Sequence, residues 1–292
     1  MNIGLSTAQV TMKSYGTSGQ VLGQTREPLS IPPNGILSFD NVLDTLGVKD
    51  NYGPIEITSI NDVPLIVSSR VSNANGAGGF FEGLDYVNAS TLQYIPYVLD
   101  TSATRTNLGI NNVTESAGTV TIRLFDQHGS LVASKQVSVA PRGLTQINNI
   151  VRFMINATDV TNREGYLQLD SDQQIFGWAS QIDNTSNDPG FAVSKGTGST
   201  HLLVDSTANV GSFKSSLVIV NVGDSDALVD IVSRNIEGDI QGEARGVLIS
   251  KGGFYSTTNI LETLGVHSSY GPVEILSTNG KPLLVTSRVY SD

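Results

Sequence analysis

The sequence predicts an all-β protein built from tandem Ig-like β-sandwich repeats, each with one short helix. Residues 41–73 and 259–291 align without a gap, and most exchanges between them preserve side-chain shape, which indicates an internal repeat. Within each repeat, apolar and polar residues alternate, as expected for strands that bury one face. These two observations carry the prediction of the fold class.

A third repeat lies between the two obvious ones. Three short segments match one another, at residues 9–16, 119–126 and 228–235. Turns follow them in the same register, at residues 33–35, 141–143 and 251–253. A repeat of this size is a domain rather than a propeller blade or a solenoid coil. We predict three β-sandwich modules, called here the first, second and third repeats: residues 1–84, 85–192 and 193–292.

Each repeat is predicted to contain one helical turn. Asn41 and its counterpart Asn259 are good N-cap residues, and an acidic residue follows each at the capping-box spacing. The second repeat keeps Asn149 but has Arg152 at the capping-box position. One turn of helix is marginal alone, so we expect it to close an open end of the sandwich. Segments rich in Gly, Asn and Ser are expected to be linkers, at residues 73–84 and 184–200.

The composition limits the classes of partner. The chain has 292 residues, a net charge of −10 and a pI near 4.7, which argue against nucleic acids and anionic membrane surfaces. Cysteine is absent, so disulfides, thiolate metal sites and a Cys nucleophile are excluded. No segment has the uninterrupted apolar length of a membrane span, so we expect no membrane insertion.

Several motifs resemble a known kind of repeat. They are the strand at 94–97, the Ser-Arg-Val that precedes residues 72 and 290, and the segment from Trp178 to Asn184 followed by Asp188-Pro189. Together they resemble a β-sandwich repeat of roughly a hundred residues that occurs in tandem in large secreted or surface-associated bacterial proteins. The resemblance implies an extracellular or cell-surface location and no agreed activity.

Catalytic motifs were sought and none was found. His128, His201 and His267 occupy unrelated positions of the repeat, so no histidine recurs beside a nucleophile. The sequence has no nucleophile elbow, zinc-protease helix, P-loop or dinucleotide fingerprint. We therefore expect a protein that is not an enzyme and needs no cofactor.

Calcium is the one metal that the sequence suggests. Asp183, Asn184 and Asp188 bring hard oxygen ligands together in one loop. Turns rich in Asp and Asn between strands contain the same residues without any metal. We give these three residues as a candidate calcium site, with the turn as the favoured alternative.

Arg70 and Arg288 recur at one position of the first and third repeats and are candidate partner-binding residues. A guanidinium there would bind a carboxylated glycan or a protein carboxylate through two hydrogen bonds. The favoured alternative is a cross-strand pair with the recurring acids Glu56 and Glu274. The second repeat has Gln181 at this position, so no role of the arginine is common to all three repeats.

Three functions remain open at this stage. The leading one is a non-enzymatic extracellular structural or adhesive protein that presents tandem domains at the cell surface. In the second, another subunit's strand pairs with the first repeat, which is expected to lack its opening strand and to expose an edge, so that subunits form a fibre or sheath. The third is a carbohydrate-binding module of a secreted enzyme, with candidate aromatic residues Phe125, Tyr15 and Phe81.

Overall fold

The computed structural model describes residues 1–72, 76 and 78–291, and it confirms an all-β fold of sandwich-like modules. The first repeat contains β1 (Ala8–Tyr15), β2 (Val21–Gln24), β3 (Leu29–Ile31), α1 (Val42–Thr45), β4 (Ile55–Ser59), β5 (Ser68–Ser72) and β6 (Gly78–Glu82). The second contains a 3-10 turn (Tyr86–Asn88), β7 (Ser90–Asp100), β8 (Thr104–Asn112), β9 (Gly118–Phe125), β10 (Leu131–Val139), β11 (Leu144–Ile147), α2 (Ile150–Ile155), β12 (Arg163–Asp183) and β13 (Pro189–Val193). The third contains β14 (His201–Val210), β15 (Phe213–Asn221), β16 (Ala227–Arg234), β17 (Ile240–Ile249), β18 (Phe254–Thr257), α3 (Ile260–Thr263), β19 (Ser269–Ser277) and β20 (Leu283–Ser291).

One long strand links the two layers of the second repeat. The first half of β12 pairs antiparallel with β9 and β7, and its second half pairs with β8 and β13. In the third repeat two separate strands take the place of the long strand. β19 pairs with β16 and β14, as the first half of β12 pairs with β9 and β7, and β20 pairs with β15, as the second half pairs with β8. The outer strands β10 and β11, or β17 and β18, complete each layer.

The predicted period of two is the period of burial. In β9, Val120, Ile122 and Leu124 are at most 2% exposed, while Thr121 and Arg123 between them face outward and are half-buried. Alternation lets each strand bury one face in the sandwich and leave the other to solvent or to a neighbouring repeat.

The helical turns close the sandwich as expected. The side-chain oxygens of Asn41, Asn149 and Asn259 all accept hydrogen bonds from backbone N–H groups of the first turn. Ile260 and Leu261 of α3 are fully buried, and α3 packs against β14 and β15. The reciprocal capping box is not formed, because the side chains at the third helical position contact other groups than the N-cap N–H. The prediction of the capping box was therefore wrong.

A buried asparagine that the sequence analysis overlooked marks the same point of every repeat. Asn2, Asn112 and Asn221 are at most 2% exposed. The backbone N–H of each donates to the carbonyl oxygen of the glycine that closes its repeat's turn. Each side-chain amide donates to the backbone carbonyl of a serine four residues later, at 2.7–2.9 Å. These shared hydrogen bonds hold the asparagine segment, the turn and the serine loop against one another in all three repeats.

The predicted linkers contain strands. β6 lies at Gly78–Glu82 and β13 at Pro189–Val193, inside the two segments that were expected to be linkers. Each returns antiparallel along the strand that precedes it, so its backbone groups are paired despite a Gly-rich composition. Residues 73–75 and 77 of the first segment lie outside the described residues.

Candidate interaction site

Successive repeats contact each other through a hairpin tip and a turn. The hairpin tip is the turn between β1 and β2 and its counterparts, at residues 17–19, 127–129 and 236–238. The docking turn lies before the helix of each repeat, at residues 33–35, 141–143 and 251–253. The N–H of Leu144, just after the second docking turn, donates to the Thr17 carbonyl oxygen at 3.0 Å.

The contact between the second and third repeats has the same geometry. The N–H of Phe254 donates to the Gln127 carbonyl oxygen at 3.1 Å. Phe254 is the counterpart of Leu144, and Gln127 is the counterpart of Thr17. The same hydrogen bond, from the N–H that follows a docking turn to a carbonyl oxygen of a hairpin tip, therefore joins both pairs of neighbouring repeats.

Glycines make the close approach feasible. A Cβ atom on Gly19 would lie 1.7 Å from the Pro141 carbonyl oxygen, and one on Gly129 would lie 2.4 Å from the Lys251 carbonyl oxygen. Both glycines also have positive φ angles, of 83° and 82°, which favour glycine. The recurring tip glycine was visible in the sequence, but only the structure shows that it faces another repeat.

A charged network flanks the first contact. Arg142, in the second docking turn, lies 2.9 Å from Glu115 and 3.9 Å from Glu56 of the first repeat. Glu56 also accepts a hydrogen bond from the Tyr15 hydroxyl at 2.6 Å. Burial raises the pKa of Tyr15 and the hydrogen bond to Glu56 raises it further, so the hydroxyl remains a donor at neutral pH. The Tyr86 hydroxyl accepts a hydrogen bond from Arg142 at 3.0 Å.

An aromatic cluster completes the first contact. Phe81 of β6 packs edge-on against Trp178 with ring centroids 5.6 Å apart, and lies 3.9 Å from the Phe191 ring. Trp178 donates its ring N–H to Asn111 and covers Gly109, where a Cβ would lie only 2.0 Å from the indole. Trp178 is thus a packing residue between the first and second repeats.

The second contact is covered by a different apolar cluster. Its buried members in the third repeat are Val218, Val220, Phe254 and Leu284. They pack against aromatic side chains of the second repeat, namely Tyr94, Tyr97, Phe125 and Tyr166. The Tyr166 hydroxyl also donates to the Gly252 carbonyl oxygen at 2.9 Å. Apolar burial of this kind stabilises the contact between the repeats but does not fix their relative orientation. The hydrogen bond between the tip and the docking turn fixes that orientation.

The candidate calcium residues form a hydrogen-bonded turn. One carboxylate oxygen of Asp183 accepts from the N–H groups of Thr185 and Ser186, which lowers the Asp183 pKa. Asn184 accepts from Arg105 at 2.6 Å, and Asp188 caps the turn through its backbone carbonyl. The Arg105 guanidinium on the Asn184 amide oxygen opposes a cation at that oxygen, and the described residues contain no group of three His, Cys, Asp or Glu side chains that could hold a metal ion. This geometry favours the turn alternative, and calcium binding stays a prediction to be tested.

The recurring arginines do not contact the recurring acids. Arg70 donates to the Gly76 carbonyl oxygen at 2.7 Å and lies over the Phe80 ring. Glu274 instead contacts His201 and Arg234. The cross-strand pairing was therefore wrong, because the arginine strands β5 and β20 pair with β6 and β15, whereas the acids lie in β4 and β19, which pair with other strands.

Arg288 lies at the contact between the second and third repeats, whereas Arg70, among the described residues, contacts only residues of its own repeat. A Cβ on Gly190 of β13 would lie 3.4 Å from the Arg288 Nε. The positive charge of Arg288 also contributes, as the smallest of several causes, to the lowered pKa of Asp183. Partner binding by either arginine remains a prediction.

The aromatic residues proposed for carbohydrate binding do not share one open face. Phe125 stacks on Tyr166 with centroids 5.1 Å apart, Phe81 lies in the Trp178 cluster, and Tyr15 is 8% exposed. A sugar platform needs exposed rings, so the structure offers this function no support, and glycan binding stays a prediction.

Comparisons with known proteins identify no family. No family model matches the chain, and no curated protein matches it. Among solved structures, Thermotoga maritima 1070 is 12% identical, with 37% of this chain and 94% of that chain covered and a TM-score of 0.30. The PBSX exported protein XepA is 12% identical, covering 77% and 86%, with a TM-score of 0.22. A putative secreted protein from Parabacteroides distasonis is 9% identical, covering 78% and 88%, with a TM-score of 0.22. Similarity at this level establishes neither a shared fold nor a shared function.

No helix in the described part of the chain is long and apolar enough to cross a membrane.

Proposed function

We propose that this chain is a non-enzymatic structural protein that holds a row of β-sandwich modules in fixed order outside the cell, at the cell surface. The observation that carries the proposal is the repetition of one contact: Thr17 with Leu144, then Gln127 with Phe254. A flexible string of independent domains would not need the same backbone contact twice.

Acidity and composition agree with this role. The net charge of −10 keeps the surface hydrated and disfavours anionic partners, and the absence of cysteine excludes thiol and disulfide chemistry. The predicted resemblance to tandem repeats of secreted proteins supports the location. Adhesion to a host or to another cell is the finer form of the proposal and would use the exposed faces of the strands.

The fixed order of repeats is tested by closing the space at a docking turn. A Cβ on Gly253 would lie 2.6 Å from the Gln127 carbonyl oxygen of the second repeat. The Gly253→Ala variant should separate the second and third repeats and increase the maximum dimension in small-angle X-ray scattering. Gly223→Ala is the matched control, because the three nearest atoms to its Cβ, at 3.0–3.3 Å, all belong to the same third repeat and Gly223 lies outside both the tips and the docking turns. Equal scattering of both variants and wild type would contradict the proposal.

The location is tested on cells of the source organism. Antibodies against the purified chain should label intact cells, and added protease should remove the signal without lysis. Labelling only after lysis would refute the extracellular role and leave the order of repeats unaffected.

Strand complementation is the second candidate function, and the open edge of β4 favours it. Among the described residues β4 pairs only with β1, whereas the matching part of β12 pairs with both β9 and β7. A groove of about 530 Å³ follows this edge and is lined by residues that include Glu56, Ser59, Asp62, Tyr86 and Arg142. A strand from another subunit would supply the missing ladder there.

A peptide with the sequence of residues 92–98 tests strand complementation. These residues include part of the β7 ladder to β12, and the peptide should perturb amide resonances of β4 in nuclear magnetic resonance spectra. A scrambled peptide is the control. Equal effects of the two peptides would exclude this candidate.

A further inference from the structure

Both halves of the repeated contact recur once more in the part of the chain that the structure describes, with no neighbouring repeat packed against them: the third hairpin tip and the first docking turn. Among the described residues, a Cβ on Gly238 of the third hairpin tip would meet no atom within 4 Å. Its φ of 91° matches the 83° and 82° of the two docked tip glycines. In the first docking turn Asn34 has a φ of 58°, close to the 54° and 67° of its docked counterparts. The φ angles at these two positions are therefore those of the docked tips and turns.

The first repeat exposes apolar side chains where the third repeat buries them. Met1, Ile36 and Ile66 are 42%, 75% and 55% exposed. Their counterparts in the third repeat are 0%, 6% and 3% exposed, because the second repeat covers them: Val220, Phe254 and Leu284. Exposed apolar residues grouped at one site mark a surface for association.

The third repeat exposes a leucine at one position of the complementary face. Leu203 pairs with Glu274 of β19, and Tyr94 pairs with Gln168 of β12, which is the counterpart of Glu274. Leu203 therefore occupies the position of Tyr94. Tyr94 packs in the cluster between repeats, whereas Leu203 is 66% exposed. Ile236, in the third hairpin tip, is also 70% exposed.

We propose that a second copy of this chain docks head to tail, with its first docking turn on the third hairpin tip. In this contact the Ile36 N–H of one copy donates to the Ile236 carbonyl oxygen of the other, as Phe254 donates to Gln127 within the chain. The apolar face around Ile36 and Ile66 covers Leu203. The proposal rests on the proposed structural function and names its partner.

Continuity with the internal contacts selects a second copy as the occupant. The two free surfaces are unlike each other, and each is the counterpart of a surface that the chain already binds. A contact between unlike surfaces that repeats along one direction extends into an open row rather than a closed pair. The protein should therefore form linear oligomers whose length grows with concentration.

Two variants that block opposite ends give a sharp test. Ile36→Asp blocks the turn end and Leu203→Asp blocks the tip end, and both side chains are exposed enough for the monomer to fold normally. Leu248→Asp is the matched control, because Leu248 is an equally exposed strand leucine, at 64%. Sedimentation velocity from about 1 to 500 μM covers the weak affinities expected of small interfaces.

The expected pattern is specific to a head-to-tail contact. Wild type and Leu248→Asp should form a ladder of oligomers, and each blocked variant alone should stay monomeric. An equimolar mixture of the blocked variants should form a one-to-one dimer and nothing larger, because only one tip and one turn remain intact. Monomeric wild type at every concentration, or oligomers that persist in either blocked variant, would overturn the proposal. Either result would leave the scattering test of the internal contacts unchanged.

Discussion

The buried carboxylate of Asp100 binds the guanidinium of Arg152, with the Arg152 Nε 3.1 Å from each carboxylate oxygen. Asp100 ends β7 and its side chain is fully buried, while Arg152 lies in α2. The pair explains why the second repeat carries an arginine where the others carry an acid near the helix N-terminus. Asn149 and Thr161 donate to the same carboxylate and complete its hydrogen bonds.

Replacing Asp100 by Ala should destabilise the second repeat by about 3 kcal/mol, because the change leaves half-buried donors of Arg152, Asn149 and Thr161 without an acceptor. The free energy of unfolding from urea denaturation measures the effect. Asp159→Ala, at an exposed position nearby, is the control and should change stability by less than about 0.5 kcal/mol. Equal losses in the two variants would contradict the assigned role.

The same carboxylate predicts an acid dependence of stability. Burial alone would raise the pKa of Asp100, but hydrogen bonds from Arg152, Thr161 and Asn149 outweigh it and hold the pKa below 3.8. A folded-state pKa below the unfolded value means that the stabilisation is complete above about pH 3.8 and is lost as pH falls through the folded value. The stability difference between wild type and Asp100→Asn should therefore shrink below pH 4. A difference that stays constant from pH 7 to pH 2.5 would contradict this.

Asn221→Ala should cost about 3 kcal/mol, because the Asn221 amide satisfies the carbonyl groups of Ser225, Ile249 and Ser250 and accepts from the Gly223 N–H. Urea denaturation measures the loss. Asn148→Ala is the control, since Asn148 is exposed and accepts a single side-chain hydrogen bond. A loss below about 1 kcal/mol at Asn221 would show that the repeated asparagine does not organise the fold.

Phe81→Ala should shift the fluorescence of the only tryptophan to longer wavelength, because Phe81 covers Trp178 at the contact between the first and second repeats. Loss of the aromatic contact should also lower stability by about 1 kcal/mol beyond the lost burial. Phe80→Ala is the matched control, since the neighbouring Phe80 ring is 70% exposed. An unchanged emission spectrum in Phe81→Ala would refute the packing of Trp178.

Calcium should not change the thermal midpoint of unfolding, because one Asp183 carboxylate oxygen already accepts two backbone hydrogen bonds and Arg105 binds Asn184. Differential scanning calorimetry with excess calcium and then with a chelator measures this. A midpoint that rises with calcium in the wild type but not in Asp183→Asn would establish the metal site.

The repeat and its strands were predictable because they depend on local pattern. Alternation in β9 and β16 and the Asn N-caps follow from residue spacing alone. The linkers were predicted wrongly, since Gly-rich segments such as β6 become strands only when a neighbouring strand supplies the ladder. The pairing of Arg70 and Arg288 with Glu56 and Glu274 failed for a related reason: sequence spacing does not say which layer of a sandwich each strand joins.

The sequence by itself determined an all-β chain of repeated units with capped helical turns and no assembled catalytic motif. Only the tertiary structure decided that Gly19 and Gly129 face the carbonyl groups of the following repeat. Local geometry is fixed by residues that are neighbours in the chain, whose spacing can be read directly. The contact between Gln127 and Phe254 joins residues of different repeats, so it exists only once both sandwiches have folded and their surfaces have met.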